Sequence, residues 1–272
     1  MLSNESQEDA INIIKFIIGS DTRIKVLLSL EEEAQDLSCL RDKTDLNSST
    51  LLHAINKLED NDLVIKGKKG YSLTQIGKIH LMNLVDLIKT LGTLNLYKEF
   101  WLNHYIEDIP ETFLREMGDL VESDLVKSTK IDILKPMSVL EKIISEAKKV
   151  DCIVPIFQHG FLELIEGLLN KGADVKLILT EELFEMIAKE HNEILRKAIS
   201  KENFEIWVTS EDIKLAFVVT DSTFLLGLFR KDGSYDISEN LVSHSDDAIS
   251  WGERLFKYYQ RKLKYLSIND IK

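Results

Sequence analysis

Between residues 36 and 77 the hydrophobic spacing of the chain changes from a helical to an extended pattern within a few positions. The apolar residues of the helical part recur on one face: Leu51, Ile55 and Leu58. Two short β-type runs follow at residues 63–65 and 71–73, and they flank a lysine-rich segment at residues 66–70. This order predicts two short helices, a lysine-tipped hairpin and the start of a longer helix.

The second of these helices carries small or hydrogen-bonding side chains on the face opposite its apolar residues: Ser48, Ser49, Thr50, His53, Asn56 and Lys57. Such side chains can contact base edges and phosphates. Asn47 can cap the helix, which leaves the exposed first turn free to approach DNA. Leu52 lies on or near the same side, where it either contacts a thymine methyl group or packs against the protein.

The hairpin adds three lysines to this surface: Lys66, Lys68 and Lys69. A pair of amphipathic helices alone more often reflects packing than DNA recognition. Here four features occur in order, namely a buried preceding helix, a short turn at residues 44–45, the polar helix face and the lysine-rich hairpin. Together they predict a winged helix-turn-helix that binds duplex DNA, with the second helix in the major groove and the lysines along adjoining phosphates or the minor groove.

The segment before this unit is predicted to be helical as well. Apolar residues indicate a helix over residues 7–18 that ends at Gly19, and Ser20 or Asp21 can cap the next helix. An acidic run at residues 31–33 is predicted to be a solvated loop, because no second group of metal ligands stands beside it.

The formal net charge of −12 opposes binding to nucleic acid, but the charge is unevenly distributed. Residues 41–80 contain 7 Lys/Arg and 5 Asp/Glu, a local balance of +2, while the hairpin tip carries lysines without an acid. Binding depends on local potential more than on the total. The sequence therefore predicts modest, salt-sensitive DNA affinity for one subunit, which a second subunit would reinforce.

Composition sets wider limits on the chain. Its 272 residues suit two domains, and 44% hydrophobic residues are typical of a globular protein. Cys39 and Cys152 both lie in apolar patterns and are predicted to be buried as small hydrophobes, without a disulfide or metal. We find no secretion signal and no run of the ~20 apolar residues that a membrane span needs, so a cytoplasmic location is expected.

Two short motifs connect the hairpin to a known family. Leu58-Glu59 is followed by Leu63-Val64, and Tyr71-Ser72-Leu73-Thr74-x-x-Gly77 closes the unit. These residues resemble the wing and exit helix of archaeal winged-helix regulators, in which the tyrosine packs the wing and the threonine caps the next helix. The downstream chain is similar to the regulators that join this domain to a methanogenesis-regulator middle domain, so the resemblance implies a transcription regulator.

A long helical stretch follows, from residue 75 to about residue 104, with Gly92 as a candidate bend. Two interpretations remain open: a dimer interface or spacer, and packing against the second domain. The aromatic segment at residues 100–105 is read as a core cluster at a helix end and not as a base-stacking surface. The predicted division is residues 1–80 for the DNA-binding domain, 81–109 for the linking or dimerisation helix and 110–272 for the second domain.

In residues 110–272, helices alternate with apolar strands, and a final amphipathic helix is predicted over residues 251–265. Strands are predicted at residues 152–156, 175–179, 204–208, 215–219 and 223–229, the last two joined by a hairpin turn. The predicted fold class is thus an α+β winged helix-turn-helix joined by a long helix to an α/β mixed-sheet sandwich domain.

The order of these strands resembles the phospholipase D-like fold, which some archaeal sugar-responsive regulators use as a sensor. The enzymes of that fold carry His-x-Lys and, after four further residues, Asp. With Asp221 as the acid, Lys214 stands at the histidine position and Ala216 at the lysine position, so the nucleophile is missing. The sequence predicts a non-catalytic domain without cofactor or metal; the alternative is a phosphodiesterase or nuclease to which the winged domain delivers DNA.

A binding role remains for this domain. In open α/β sheets, ligands bind beyond the carboxyl ends of the strands. Polar residues that follow predicted strands are candidate ligand contacts, although each is also an ordinary turn or cap residue: Gln158, His159, Thr180, Thr209 and Asp221. The helix after His159 could hold an anion at its N-terminus. We therefore expect a homodimeric regulator whose second domain senses a small molecule or a partner.

Overall fold

The computed structural model describes residues 3–158 and 160–265. The chain forms two compact units, Met1–Ile88 and Lys89–Lys272. His159, one of the predicted ligand contacts, lies outside the described residues. Among the helices of the described residues, none has both the length and the apolar character needed to cross a membrane.

The first unit is mainly helical and contains the predicted hairpin. Its elements are α1 (Asn4–Ile18), α2 (Asp21–Ser29), α3 (Leu37–Thr44), α4 (Ser48–Glu59), β1 (Val64–Gly67), β2 (Gly70–Leu73) and the first part of α5 (Gln75–Leu96). As predicted, Gly19 caps the end of α1, and the Ser20 hydroxyl caps the start of α2 by accepting from the Arg23 N–H. The apolar faces of these elements meet in one core.

Two sequence predictions for this unit need correction. The first helix begins at Asn4 and not at residue 7, because the Ser3 hydroxyl accepts from the Ser6 N–H and caps it earlier. Cys39 is exposed, whereas the sequence pattern predicted burial. It lies in the first turn of α3, where the nearby Asp36 carboxylate raises the pKa of the thiol.

The long helix predicted to reach about residue 104 is broken at Tyr97. Helix α5 continues through Gly92 to Leu96, and α6 (Lys98–Asn103) starts after Tyr97, which leaves the helical conformation at φ −115° and ψ 30°. The Trp101 indole donates to the Thr93 carbonyl at 3.1 Å. Because the break turns the aromatic side chains of α6 inward, Phe100 is fully buried, which confirms the core interpretation.

The second unit contains the remaining elements. They are α6, α7 (Glu111–Arg115), a 3-10 turn (Met117–Leu120), β3 (Ser123–Lys127), α8 (Lys135–Glu146), β4 (Lys149–Val154), α9 (Phe161–Asn170), β5 (Asp174–Thr180), α10 (Glu181–Glu190), α11 (Asn192–Ile199), β6 (Phe204–Thr209), β7 (Leu215–Thr220), β8 (Phe224–Leu228), β9 (Glu239–Ser243), α12 (Asp246–Gln260) and β10 (Lys264–Tyr265). The sequence assigned residues 81–109 to a linking or dimerisation helix, and residues 89–109 of that segment belong to this unit.

The strands of the second unit form one mixed sheet in the order β10-β6-β5-β4-β7-β8-β9-β3. Strands β4, β5 and β6 are parallel, and the other neighbours pair in antiparallel fashion. One face packs on α12 around Trp251, Phe217 and Phe224. The opposite face is covered by α8, α9, α10 and α11. The mixed α/β sheet expected from the sequence is confirmed.

Three strands were not predicted, and one helix is displaced. β3 and β9 pair with each other at one sheet edge, with Asp124 opposite Val242, and β10 lies at the other edge. The final helix runs from Asp246 to Gln260 and not over residues 251–265. The Ser245 hydroxyl starts it earlier by accepting from the Ala248 N–H.

Candidate nucleic-acid interface

Helix α4 is held in the first unit by one apolar face, which comprises Leu51, Ala54, Ile55 and Leu58. The Asn47 side chain accepts a hydrogen bond from the Thr50 N–H at 2.9 Å, so the predicted cap is confirmed. This cap fixes the first turn of α4, where unpaired N–H groups give a helix a partial positive charge.

All six residues predicted for DNA contact on α4 are exposed: Ser48, Ser49, Thr50, His53, Asn56 and Lys57. Ser49, His53 and Asn56 are spaced i, i+4 and i+7, which aligns them along the centre of the exposed face. The Thr50 and Lys57 side chains flank this line on one side. Leu52 is only half-buried on the other flank, so neither of its two interpretations is excluded.

The three hairpin lysines are exposed as predicted. In the register of β1 and β2, Gly67 is opposite Gly70, so Lys68 and Lys69 form a two-residue tip. Lys66 lies on β1, with its ammonium group 5.5 Å from the centre of the Tyr71 ring. The tip therefore presents two cations, and a third stands beside it on the strand.

The base of the hairpin is tied to the segment before α3. Gln35 and Tyr71 exchange two backbone hydrogen bonds, of 2.9 and 2.8 Å. Tyr71 itself is buried, as the family resemblance implied. This bridge therefore holds β2, the second strand of the hairpin, against the segment before α3.

A second tie joins the hairpin to the helix that follows it. The Thr74 hydroxyl accepts from the Gly77 N–H at 2.9 Å and donates to the Asp62 carbonyl at 2.6 Å, so the implied cap is confirmed. Gly77 lies so close to the chain that an added Cβ would stand 2.0 Å from the Leu63 carbonyl oxygen. Only glycine fits this crossing, which explains its place in the motif.

The predicted ligand contacts of the second unit do not form one site. Thr180 and Thr209 line a cleft of about 570 Å³ at the carboxyl ends of the parallel strands. The Thr180 hydroxyl caps α10, and the Thr209 hydroxyl accepts from the Glu211 N–H at 3.1 Å. The cleft is ringed by carboxylates: Glu181, Glu182, Glu185, Glu211 and Asp212. Such a lining disfavours a bound anion in this cleft. The anion predicted from the sequence belongs to the N-terminus of α9, which is a different place, and it stays a prediction.

Two further predicted contacts lie elsewhere. Asp221 stands in the turn between β7 and β8, where its carboxylate accepts from the Lys148 N–H at 2.9 Å and this bond lowers its pKa. Because β7 runs antiparallel to β4, this turn lies at the amino end of β4, away from the cleft. Gln158 lines a different groove, between α8 and α9.

A buried charged cluster was missed by the sequence analysis. His104 Nε2 lies 3.1 Å from the Asp236 carboxylate, and His104 Nδ1 lies 2.7 Å from the Phe100 carbonyl oxygen. Arg230 donates to both Asp236 oxygens, at 2.8 and 2.9 Å, and Ser238 donates to one of them. His104 and Asp236 are 132 residues apart in the chain, so no local sequence pattern could have predicted their contact.

This cluster also contains three residues that could hold a metal ion, namely His104, Asp236 and Glu239, whose ligand atoms lie within 4.8 Å of one another. Protein cations already engage both acids, since Arg230 binds Asp236 and Lys127 binds Glu239 at 2.8 Å. Burial alone would raise the pKa of Asp236, but hydrogen bonds from Arg230, Ser238 and His104 hold it well below its usual range. The geometry fits an ion-pair network.

The positions matched to the phospholipase D motif show no catalytic pairing among the described residues. Lys214 lies 3.7 Å from Asp212 and over the Tyr105 ring, and Asp221 is engaged at the opposite sheet end. His191 stacks on Phe157, and His244 bonds to Thr223.

Two family models match this chain. Residues 11–92 match the family described as "Methanogenesis regulatory protein FilR1, N-terminal domain", and residues 133–262 match its "middle domain". Both units of the chain match FilR1 domains. The methanogenesis regulatory protein FilR1 of Methanothrix harundinacea (strain 6Ac) is 30% identical over 270 residues. That match covers 97% of this chain and 60% of FilR1, so the chain spans less than two thirds of this relative.

Solved structures give more distant likenesses to this chain. TrmBL2, described as an archaeal chromatin protein with a novel mode of DNA binding, aligns with a TM-score of 0.43 and 12% identity, over 91% of this chain and 94% of its own. A transcriptional regulator of Alicyclobacillus acidocaldarius aligns with a TM-score of 0.23 and 12% identity, over 88% and 94% of the two chains. Likeness at this level carries no assignment of function.

Proposed function

We propose that this chain is an archaeal transcription regulator that binds duplex DNA through a winged helix-turn-helix, in the cytoplasm. The observation that carries the proposal is the exposed polar line of α4 beside the lysine-tipped hairpin, in a chain that matches the domains of a methanogenesis regulatory protein. In this proposal α4 enters the major groove. Its Ser49, His53 and Asn56 side chains face the base edges, and the hairpin lysines contact phosphates.

Titration of the full chain with a pool of duplex DNA at low and moderate salt tests this function. We expect saturable complexes in a mobility-shift assay, with affinity that falls as salt rises. Selection from a random duplex library should then enrich one sequence. Absence of a shift at low salt would contradict DNA binding and favour a protein-interaction adaptor.

His53 occupies the centre of the exposed line, so we propose that it reads a base. We expect His53→Ala to change the enriched sequence, while binding to unselected DNA changes little. Library selection with both proteins measures this. His80→Ala, a partly exposed histidine on α5, serves as the matched control. If His53→Ala enriches the same sequence as the wild type, His53 does not read a base.

We propose that two copies act together as a homodimer, because helix-turn-helix proteins use two-fold symmetry to bind paired half-sites. The first unit leaves large apolar side chains exposed on two helices. On α1 they are Ile11, Ile14 and Ile18; on α5 they are Ile76, Ile79, Met82, Leu87 and Ile88. An uncovered apolar surface of this kind is typical of an interface.

Changing Ile79 and Met82 together to lysine is expected to convert the dimer into a monomer, because the charges would be buried in the interface. These side chains are 61% and 67% exposed, so the fold should be retained. Sedimentation of the full chain measures the mass. The control is Ile131→Lys, at a side chain 98% exposed in the second unit. A variant that sediments like the wild-type dimer would exclude this surface.

For the second unit we propose a non-catalytic sensor role, in keeping with its resemblance to phospholipase D-like sensor domains. An effector would shift the population between states in which the two recognition helices have different spacing. A phosphodiester hydrolysis assay on the purified chain distinguishes this role from an enzymatic one. Turnover above background would overturn the sensor proposal and leave the DNA-binding proposal standing.

A further inference from the structure

The space between α8, α9 and the sheet is divided into an outer groove and an inner cavity. The groove has a volume of about 650 Å³, within the range of ligand pockets, and the cavity has a volume of about 30 Å³. Four residues line both spaces: Leu140, Ile144, Gln158 and Phe161. Movement of these side chains would join the two.

Small residues create the inner cavity. Ala216 on β7 and Gly227 on β8 are paired in register, and Ala216 lines the cavity. The Tyr235 side chain stands directly over Gly227, where an added Cβ would lie 2.1 Å from its hydroxyl oxygen. Gly227 therefore makes room for the Tyr235 ring, which forms one wall of the cavity.

A second polar group lies near Gly227, next to Tyr235. The Asn240 side chain is buried, and its Oδ1 has no hydrogen-bond partner among the described residues. This atom would lie 2.9 Å from an added Gly227 Cβ, close to the Tyr235 hydroxyl. Burial raises the pKa of Tyr235, so its hydroxyl stays protonated. Buried polar groups are ordinarily paired, and here an unpaired acceptor lies next to Tyr235, the residue that lines the cavity.

The character of the walls defines what could fill this space. Apart from Gln158 and Tyr235, the side chains described at the inner cavity are apolar. The charged side chains of the groove are Glu141, Lys142 and Glu163. A charge placed in the inner cavity would lose its hydration without gaining a partner. A molecule that reaches the inner cavity must therefore be uncharged at that end, and in the groove it can pack on the apolar side chains of Leu140, Phe161 and Leu164.

We propose that the groove and cavity bind one small, uncharged amphipathic molecule. Its apolar body lies between α8 and α9, and its hydroxyl or amide end reaches the inner wall, where it accepts from Tyr235 and donates to Asn240. This inference rests on the sensor role proposed above, and it names the chemical class of the effector. In this proposal Gln158, which lines both the groove and the cavity, contacts the bound molecule where the two spaces meet.

Calorimetric titration of the full chain without DNA tests the site, with 1-octanol as the probe and octanoate as its charged counterpart. We expect saturable binding of 1-octanol and at least tenfold weaker binding of octanoate. Failure of 1-octanol to bind up to its solubility limit, or equal binding of the two probes, overturns the proposal. Because DNA is absent, either result is independent of the DNA-binding assay.

Two variants locate the bound probe. Ala216→Leu fills the inner cavity and should weaken 1-octanol binding at least tenfold, whereas Ala34→Leu in the first unit should leave it unchanged. Tyr235→Phe keeps the ring and removes only the hydroxyl, so it should fold normally and weaken binding about three- to tenfold. Wild-type affinity in Tyr235→Phe, or in a folded Ala216→Leu protein, would place the probe elsewhere and overturn the proposal.

Discussion

Replacing Lys66, Lys68 and Lys69 together by alanine should weaken binding to every duplex sequence by about tenfold or more at moderate salt. The expected cause is loss of three phosphate contacts per subunit from the hairpin tip and its strand. Each lost contact lowers the slope of log affinity against log salt by about 0.9, so the slope should fall by about 3 per subunit. Mobility-shift titrations at several salt concentrations measure both quantities.

The matched control for this variant replaces three exposed lysines of the second unit, Lys130, Lys135 and Lys148. It changes the net charge equally, so a general electrostatic effect would weaken both variants alike. The sequence enriched from a random library should be the same for the hairpin variant and the wild type. If the hairpin variant keeps its affinity and its salt slope, the hairpin does not contact DNA.

The second large effect is expected at the buried charged cluster. Asp236→Asn removes the charge that pairs with Arg230 and His104, and we expect it to lower the free energy of unfolding by about 3 kcal/mol. The side chains of Asp236 and His104 are 5% and 1% exposed, so water cannot replace the carboxylate beside the imidazole. Arg230 is 50% exposed and is hydrated in the variant. Urea denaturation followed by circular dichroism measures the change. Asp232→Asn, on the same loop, is the control: its carboxylate accepts from Ser234 and is not hydrogen-bonded to Arg230 among the described residues, so the change should be much smaller.

The cluster also predicts a dependence on pH. The folded-state pKa of Asp236 lies below its ordinary value of 3.8, so the cluster contributes its full stability above about pH 4. That contribution is lost as pH falls toward the folded pKa. The stability difference between wild type and Asp236→Asn should therefore be largest near neutral pH and shrink in acid. A difference that stays constant down to pH ~2 would assign the effect to packing instead of charge.

Local signals in the sequence predicted much of the first unit. The caps at Ser20, Asn47 and Thr74 depend on residues within three positions along the chain, which a sequence pattern can show. The exposed side of α4 follows from helical spacing alone. The orientation of Cys39 could not be predicted in this way, because a short helix leaves the edge of its apolar face undefined.

The features that the sequence did not predict depend on contacts between residues far apart in the chain. β3 and β9 are separated by more than one hundred residues, and each is too short to be recognised without its partner. The predicted ligand residues were placed by strand ends, but Asp221 follows an antiparallel strand, which carries it to the other end of the sheet. The break at Tyr97 brings Phe100 and Trp101 into the core, which helical spacing alone could not show.

The ties at the base of the hairpin affect how DNA-binding data should be interpreted. Gln35 holds Tyr71, and the Gly77 crossing holds the strand ends against Leu63. Both ties are made within the first unit, so the hairpin is ordered before DNA arrives and binding has little conformational entropy to remove there. A loss of affinity measured on changing its lysines therefore reports lost contacts with DNA and not a disordered hairpin.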